Sequence, residues 1–186
     1  MFQNPFTILC LLVLVAGCAP KRKASDVLMM VKETGQLVTA EYTLSKIIKA
    51  NDNKTWYKIG DRKILMSCEA VVKAGVNLET LTEQNFYVED DSVSIRLPRA
   101  QFFSLNIPIE KIKVQYQDVD PFRDPFSAAE REALLAQAEK QIRGTVDSLG
   151  ILQTAQDNAA LYLQRLLGAA GFSKVHVEFQ RTTVAL

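Results

Sequence analysis

One run of the chain, residues 62–76, dictates more about the fold than any other. Ile64, Met66, Cys68, Ala70 and Val72 recur at every second position, so an extended backbone places them all on one side. Leu65, Ser67, Glu69, Val71 and Lys73 share the other side, which is mixed. A helix would scatter both sets around its circumference, so the run must be a strand. One apolar face and one mixed face suit an antiparallel sheet that is covered on one side only. Gly60-Asp61 before the run and Gly75 at its end read as turns.

The neighbouring segments extend the sheet. Asn77 is placed to cap a short helical turn over residues 78–82. Phe86, Tyr87 and Val88, then Val93, Ile95 and Leu97, flank the acidic turn Glu89-Asp90-Asp91-Ser92, which predicts a hairpin stopped by Pro98. Upstream, Ser25 or Asp26 can cap a helix over residues 27–34, with Gly35 as its stop. Val38, Ala40, Tyr42 and Leu44 then alternate with Thr39, Glu41, Thr43 and Ser45. The alternation slips at Ile47-Ile48, which predicts a bulge or the end of pairing, and residues 51–54 read as a loop. Trp56 and Tyr57 follow as core or sheet-edge cover.

Downstream, residues 101–107 and 111–117 predict two further strands around Pro108. Ser127-Ala128-Ala129-Glu130 is a capping box that starts a helix. Its apolar stripe is Leu134, Leu135, Ala138, Ile142, Val146 and Leu149. Gly150 kinks or breaks it, and a second stripe runs through Leu152, Ala155, Ala159, Leu163, Leu166 and Leu167 to a stop at Gly171. Val175, Val177 and Phe179 alternate with His176, Glu178 and Gln180 in a last strand. The predicted class is α+β. Strands near 37–48, 63–73, 86–97, 101–107 and 111–117 form a largely antiparallel mixed sheet. A helical segment, 128–167, covers it, and a strand at 174–180 closes the chain.

The first residues have a different purpose. Residues 1–17 carry no charged side chain, and residues 6–16 are an apolar run too short to span a bilayer core of ~30 Å. The run ends in Val15-Ala16-Gly17-Cys18, the small-residue pattern that lipoprotein processing needs before its cysteine. Cys18 is the predicted lipid-attachment residue: diacylglyceryl goes on its thiol, and cleavage leaves it as the new N-terminus. The chain then divides into a signal peptide (1–17), a lipidated tether (18–25) and one domain (26–186). Acyl chains contribute about 0.8 kcal/mol per buried CH₂, so a palmitate-type anchor holds the domain to a membrane of the cell envelope. Ala19 brings no acidic residue next to Cys18, which favours the outer membrane where a cell has two. Lys21-Arg22-Lys23 either pairs with anionic headgroups or stays solvated.

Composition narrows the function. The chain has 22 basic and 21 acidic side chains, a balance that gives no electrostatic reason to bind nucleic acid. Of the three cysteines, Cys10 leaves with the signal and Cys18 takes lipid, so Cys68 has no intramolecular disulfide partner. Its place on the apolar face makes it a core residue. The sole histidine, His176, faces the polar side of its strand with Glu178. No Ser-His-Asp or Cys-His pairing is legible, and there is no phosphate-binding loop, dinucleotide fingerprint or Cys/His cluster. Asp118, Asp120 and Asp124 lack the glycine and distal glutamate of a calcium loop and read as turn chemistry. No catalytic, metal or cofactor-binding residue is assigned. Glu69, Asp61 and Glu89 stay open as a carboxylate pair for hydrolysis.

Three stretches, WYKIGDRKILMSCEAVVKAGVNLETL, VSIRLPRA and GILQTAQDNAALYLQRLLGAAGFSKVHVEF, together resemble one bacterial family, domain of unknown function 4230, over roughly residues 37–179. The resemblance implies an envelope-anchored α+β domain and carries over no functional residue. The expected protein is a non-enzymatic, membrane-tethered interaction or scaffold module, with an envelope protein or a second copy as partner and an exposed apolar patch. The alternative is a small-molecule or lipid-binding module with an enclosed apolar pocket, and behind it a carboxylate-dependent hydrolase.

Overall fold

A computed structural model describes residues 23–53 and 59–180. The signal, Cys18, Lys21-Arg22 and Trp56-Tyr57 lie outside the described residues.

Helix α1 (Ala24–Lys32) starts earlier than the sequence suggests. Asp26 sits in its first turn rather than at the cap, and its carboxylate accepts from the Lys23 backbone N–H at 3.2 Å. Gly35, at φ +62°, turns the chain out of the helix. Strands β1 (Gln36–Asp52) and β2 (Arg62–Asn77) then form one long antiparallel hairpin, in register from Gln36↔Asn77 to Asp52↔Arg62.

Two sequence expectations fail in β1. No slip occurs at Ile47-Ile48: Ile48 is buried and Ile47 is 62% exposed, so strand alternation simply continues with an apolar residue outside. Asn51 and Asp52 are strand, not loop. The irregularity lies instead between Val38 and Ala40. There Thr39 turns toward a helix, donating its hydroxyl to the Ala155 carbonyl (2.7 Å) and accepting from the Asn158 amide at its own carbonyl (2.8 Å). Gly75 ends no strand either; it is paired with Val38 inside β2.

The predicted single sheet is two. β5 (Gln101–Asn106) and β6 (Lys113–Val119) pair with the same edge of β2, against residues 71–75 and 62–67 respectively. Pro108 and a 3₁₀ turn, Ile109–Lys111, separate them. β3 (Phe86–Glu89) and β4 (Ser92–Leu97) form the expected hairpin, with Asp90 at φ +50° in its turn, but they belong to a second sheet. The last strand, β7 (Lys174–Phe179), joins β4 in parallel. A parallel partner needs a long crossover, and the helices supply it.

Those helices are α2 (Ala128–Thr145) and α3 (Ile151–Ala169). Gly150, at φ +69°, breaks them apart, and the altered path leaves Leu149 of the expected stripe 38% exposed. Along α3, Ile151, Ala155, Ala159, Leu163 and Leu167 recur every fourth residue and are fully buried. They lie over the inner face of β2, where every second side chain from Ile64 to Val76 is also buried. The alanines let helix and sheet approach closely. The C-terminal half of α3 also packs against Val93, Ile95 and Leu97, so one core spans both sheets.

Cys68 is 1% exposed in a separate cluster with Ile48, Ile64, Met66, Phe126 and Ala138, and burial pushes its thiol pKa up, partly opposed by the Lys46 charge. Iodoacetamide should therefore leave the Cys68 peptide unlabelled in the folded protein and label it in urea, read by mass spectrometry. Rapid labelling without denaturant would contradict the buried placement.

Candidate functional site

The most densely connected polar cluster closes the far end of the β1–β2 hairpin. Arg62, the first residue of β2, donates Nε to Asp52 Oδ2 at 3.0 Å and grips the Glu130 carboxylate with both terminal nitrogens. Arg123 donates to the same Asp52 oxygen at 2.6 Å and to the Gly60 carbonyl at 3.1 Å. The Arg62 guanidinium lies 4.4 Å above the ring of buried Phe126, and Arg131 donates to the Phe126 carbonyl at 3.0 Å. Bidentate arginine–carboxylate pairs fix geometry as well as charge.

Local sequence explains how Glu130 and Asp120 are placed. Ser127 caps α2 through its hydroxyl, and Glu130 returns its carboxylate to the Ser127 N–H at 2.8 Å. The capping box thus points Glu130 at Arg62. Asp120 accepts from Phe122 N and donates its own N–H to the Asp61 carbonyl, so it is turn chemistry as expected. The result is a loop, residues 120–127, tied to the hairpin end by these hydrogen bonds and ion pairs. It holds Phe122 80% exposed, and across the Arg123–Gly60 hydrogen bond Ile59 is 68% exposed.

Within these four side chains two positive charges meet two negative ones. Arg62 holds the Glu130 carboxyl down at about 2, with the Ser127 backbone and hydroxyl assisting, and Glu130 in turn raises the Arg62 pKa. A carboxylate so fixed stays ionised through the neutral range. The folded value lies below the ordinary 4.5, so Glu130 contributes stability above pH ~4.5, and that contribution is lost as pH falls toward 2. Glu130→Gln should therefore melt below wild type at pH 7, and the gap should close on acidification. A gap unchanged from pH 7 to pH 2.5 would rule out the ion pair.

The other candidates are scattered. Glu69 pairs with Lys111 at 3.2 Å in mid-sheet; Asp61 lies at the hairpin end; Glu89 lies in the second sheet. They do not form a carboxylate pair. His176 is exposed on β7, as its alternation implies, with Nε2 3.0 Å from Glu178 Oε1. Thr82, Asn85, Arg96, Glu178 and Gln180 line an open, polar groove of about 670 Å³ at that sheet's end. An enclosed apolar pocket, as a lipid-binding module would have, is of a different kind. No group of three His, Cys, Asp or Glu among the described residues is placed to hold a metal ion. No described helix is long and apolar enough to cross a membrane.

The family described as "Protein of unknown function (DUF4230)" matches residues 29–177. The chain belongs to this family. The match begins within α1 and ends within β7, so DUF4230 takes in the hairpin, both sheets and both long helices. No match was found among curated proteins or solved structures.

Sequence reading missed Arg62, Asp52, Arg123 and Phe126 as a unit. Only the capping box signalled one member, Glu130. Asp52 and Arg123 are 71 residues apart, and a pairing at that separation leaves no local pattern.

Proposed function

We propose that this DUF4230 member is a lipoprotein of the bacterial envelope, acylated at Cys18, whose domain is a non-enzymatic module for docking another protein. The observation that carries this is Phe122, a large apolar side chain left 80% exposed on a loop that the Arg62–Asp52–Arg123–Glu130 clamp ties to the hairpin end. Exposed apolar groups on preorganised elements suit binding, because little ordering entropy remains to be lost. The clamp lies at the opposite end of the hairpin from α1. The 17 residues of β1 span about 55 Å at strand rise, long enough for the clamp end to stand clear of a membrane that holds Cys18.

Native mass spectrometry of the full-length protein, extracted from its own membrane, tests both parts. The expected spectrum shows a diacylated or triacylated chain starting at Cys18, carrying a second copy or another protein that Phe122→Ser removes. An unprocessed or unacylated chain would overturn the anchor. A bare acylated monomer in both samples would overturn the docking role.

A further inference from the structure

We infer that the outward face of α1, bearing Met29 and Met30, rests in the headgroup layer of the membrane that holds Cys18. This rests on the acylation of Cys18 proposed above. Only four residues stand between Cys18 and Lys23, so even a fully extended tether reaches about 18 Å. That is shorter than two helix diameters of about 10 Å each, so the tether holds α1 within reach of the lipid surface.

The helix is divided accordingly. Val27 and Val31 point inward and are buried at 3% and 0%. Met29 is 66% exposed and Met30 40% exposed, although both are large and apolar. Methionine is flexible and polarisable, which suits an irregular, mobile contact such as the headgroup boundary. Exposed Lys23 and Lys32 stand at the two ends of α1, long enough to reach phosphates while their stems lie along the apolar layer. Asp26 spends its carboxylate on the helix N-terminus, and Glu33 lies just past the C-terminal end. Charge on the helix itself is therefore balanced, and the methionines rather than the lysines supply the preference for this face.

The test uses the acylated, full-length protein in vesicles of phosphatidylethanolamine and phosphatidylglycerol. Met29→Cys and, as the control, Thr43→Cys on the open face of β1 are each labelled with an environment-sensitive fluorophore. Buried Cys68 and acylated Cys18 leave the introduced thiol as the reactive one. The label at 29 should shift to the blue and be quenched several-fold more by nitroxide lipids than the label at 43. Equal, water-like signals at both sites in vesicle-bound protein would overturn the seating of α1 while leaving the anchor intact. Protein that fails to float with the vesicles would overturn the anchor and this inference with it.

Discussion

Gly75→Ala should unfold much of the protein at room temperature or cost it roughly 3–5 kcal/mol, at the severe end for one substitution. A Cβ at position 75 would stand 2.0 Å from the Leu37 carbonyl oxygen and 2.8 Å from the Phe103 ring. The first of these is backbone, held in the β1–β2 ladder beside the Thr39 bulge, and cannot swing aside. Relief would mean breaking the ladder where β1 leaves α1. Gly144→Ala is the matched control. Its Cβ meets nothing within 4 Å in helix α2, so alanine should stabilise by roughly 0.5–1 kcal/mol. Urea midpoints of the two variants should move in opposite directions. If both moved alike, the close approach at Gly75 would be wrong.

Leu163→Ala should cost about 2–5 kcal/mol, the range for truncating a fully buried leucine. For a domain of this size that lowers Tm by roughly 5–15 °C. Leu163 is 0% exposed, and its cluster contains Leu37 and Val76 from the first sheet and Val93, Ile95 and Leu97 from the second. Removing its branch opens a cavity where α3 joins the two sheets, and neither sheet can collapse to fill it without leaving the other. Loss below about 1 kcal/mol in calorimetry would mean that the sheets are not coupled through α3.

The clamp and the glycine illustrate what a linear reading can reach. Arg62 and Gly75 bracket the clearest strand in the chain, and its buried face was legible residue by residue, because alternation is a local consequence of the pleat. Gly75 reads as a turn but is paired with Val38 inside β2. Local rules treat glycine as a bend, whereas here it makes room for a neighbouring backbone. Ile47 reads as an irregularity, because an exposed apolar side chain and a bulge leave the same mark on a pattern. The capping box at Ser127–Glu130 was plain, yet the second partner of Glu130 was not.

The sequence by itself determined the strands and long helices, the α3 stripe at Ala155, Ala159, Leu163 and Leu167 though not its first member Ile151, the glycine that separates the two long helices, the polar side of His176, and the family. All but the family, which rests on three stretches across the chain, depend on neighbours within about four residues, where steric and hydrogen-bond preferences act directly. Only the tertiary structure decided that the strands divide into two sheets and that β7 pairs in parallel with β4. It alone linked Asp52, Arg62, Arg123 and Glu130 in one network of ion pairs, with Arg62 over the Phe126 ring and Phe122 exposed on the same loop. Those outcomes depend on which surfaces meet when the chain closes on a shared core, and contact between distant residues is a property of that closure rather than of any segment.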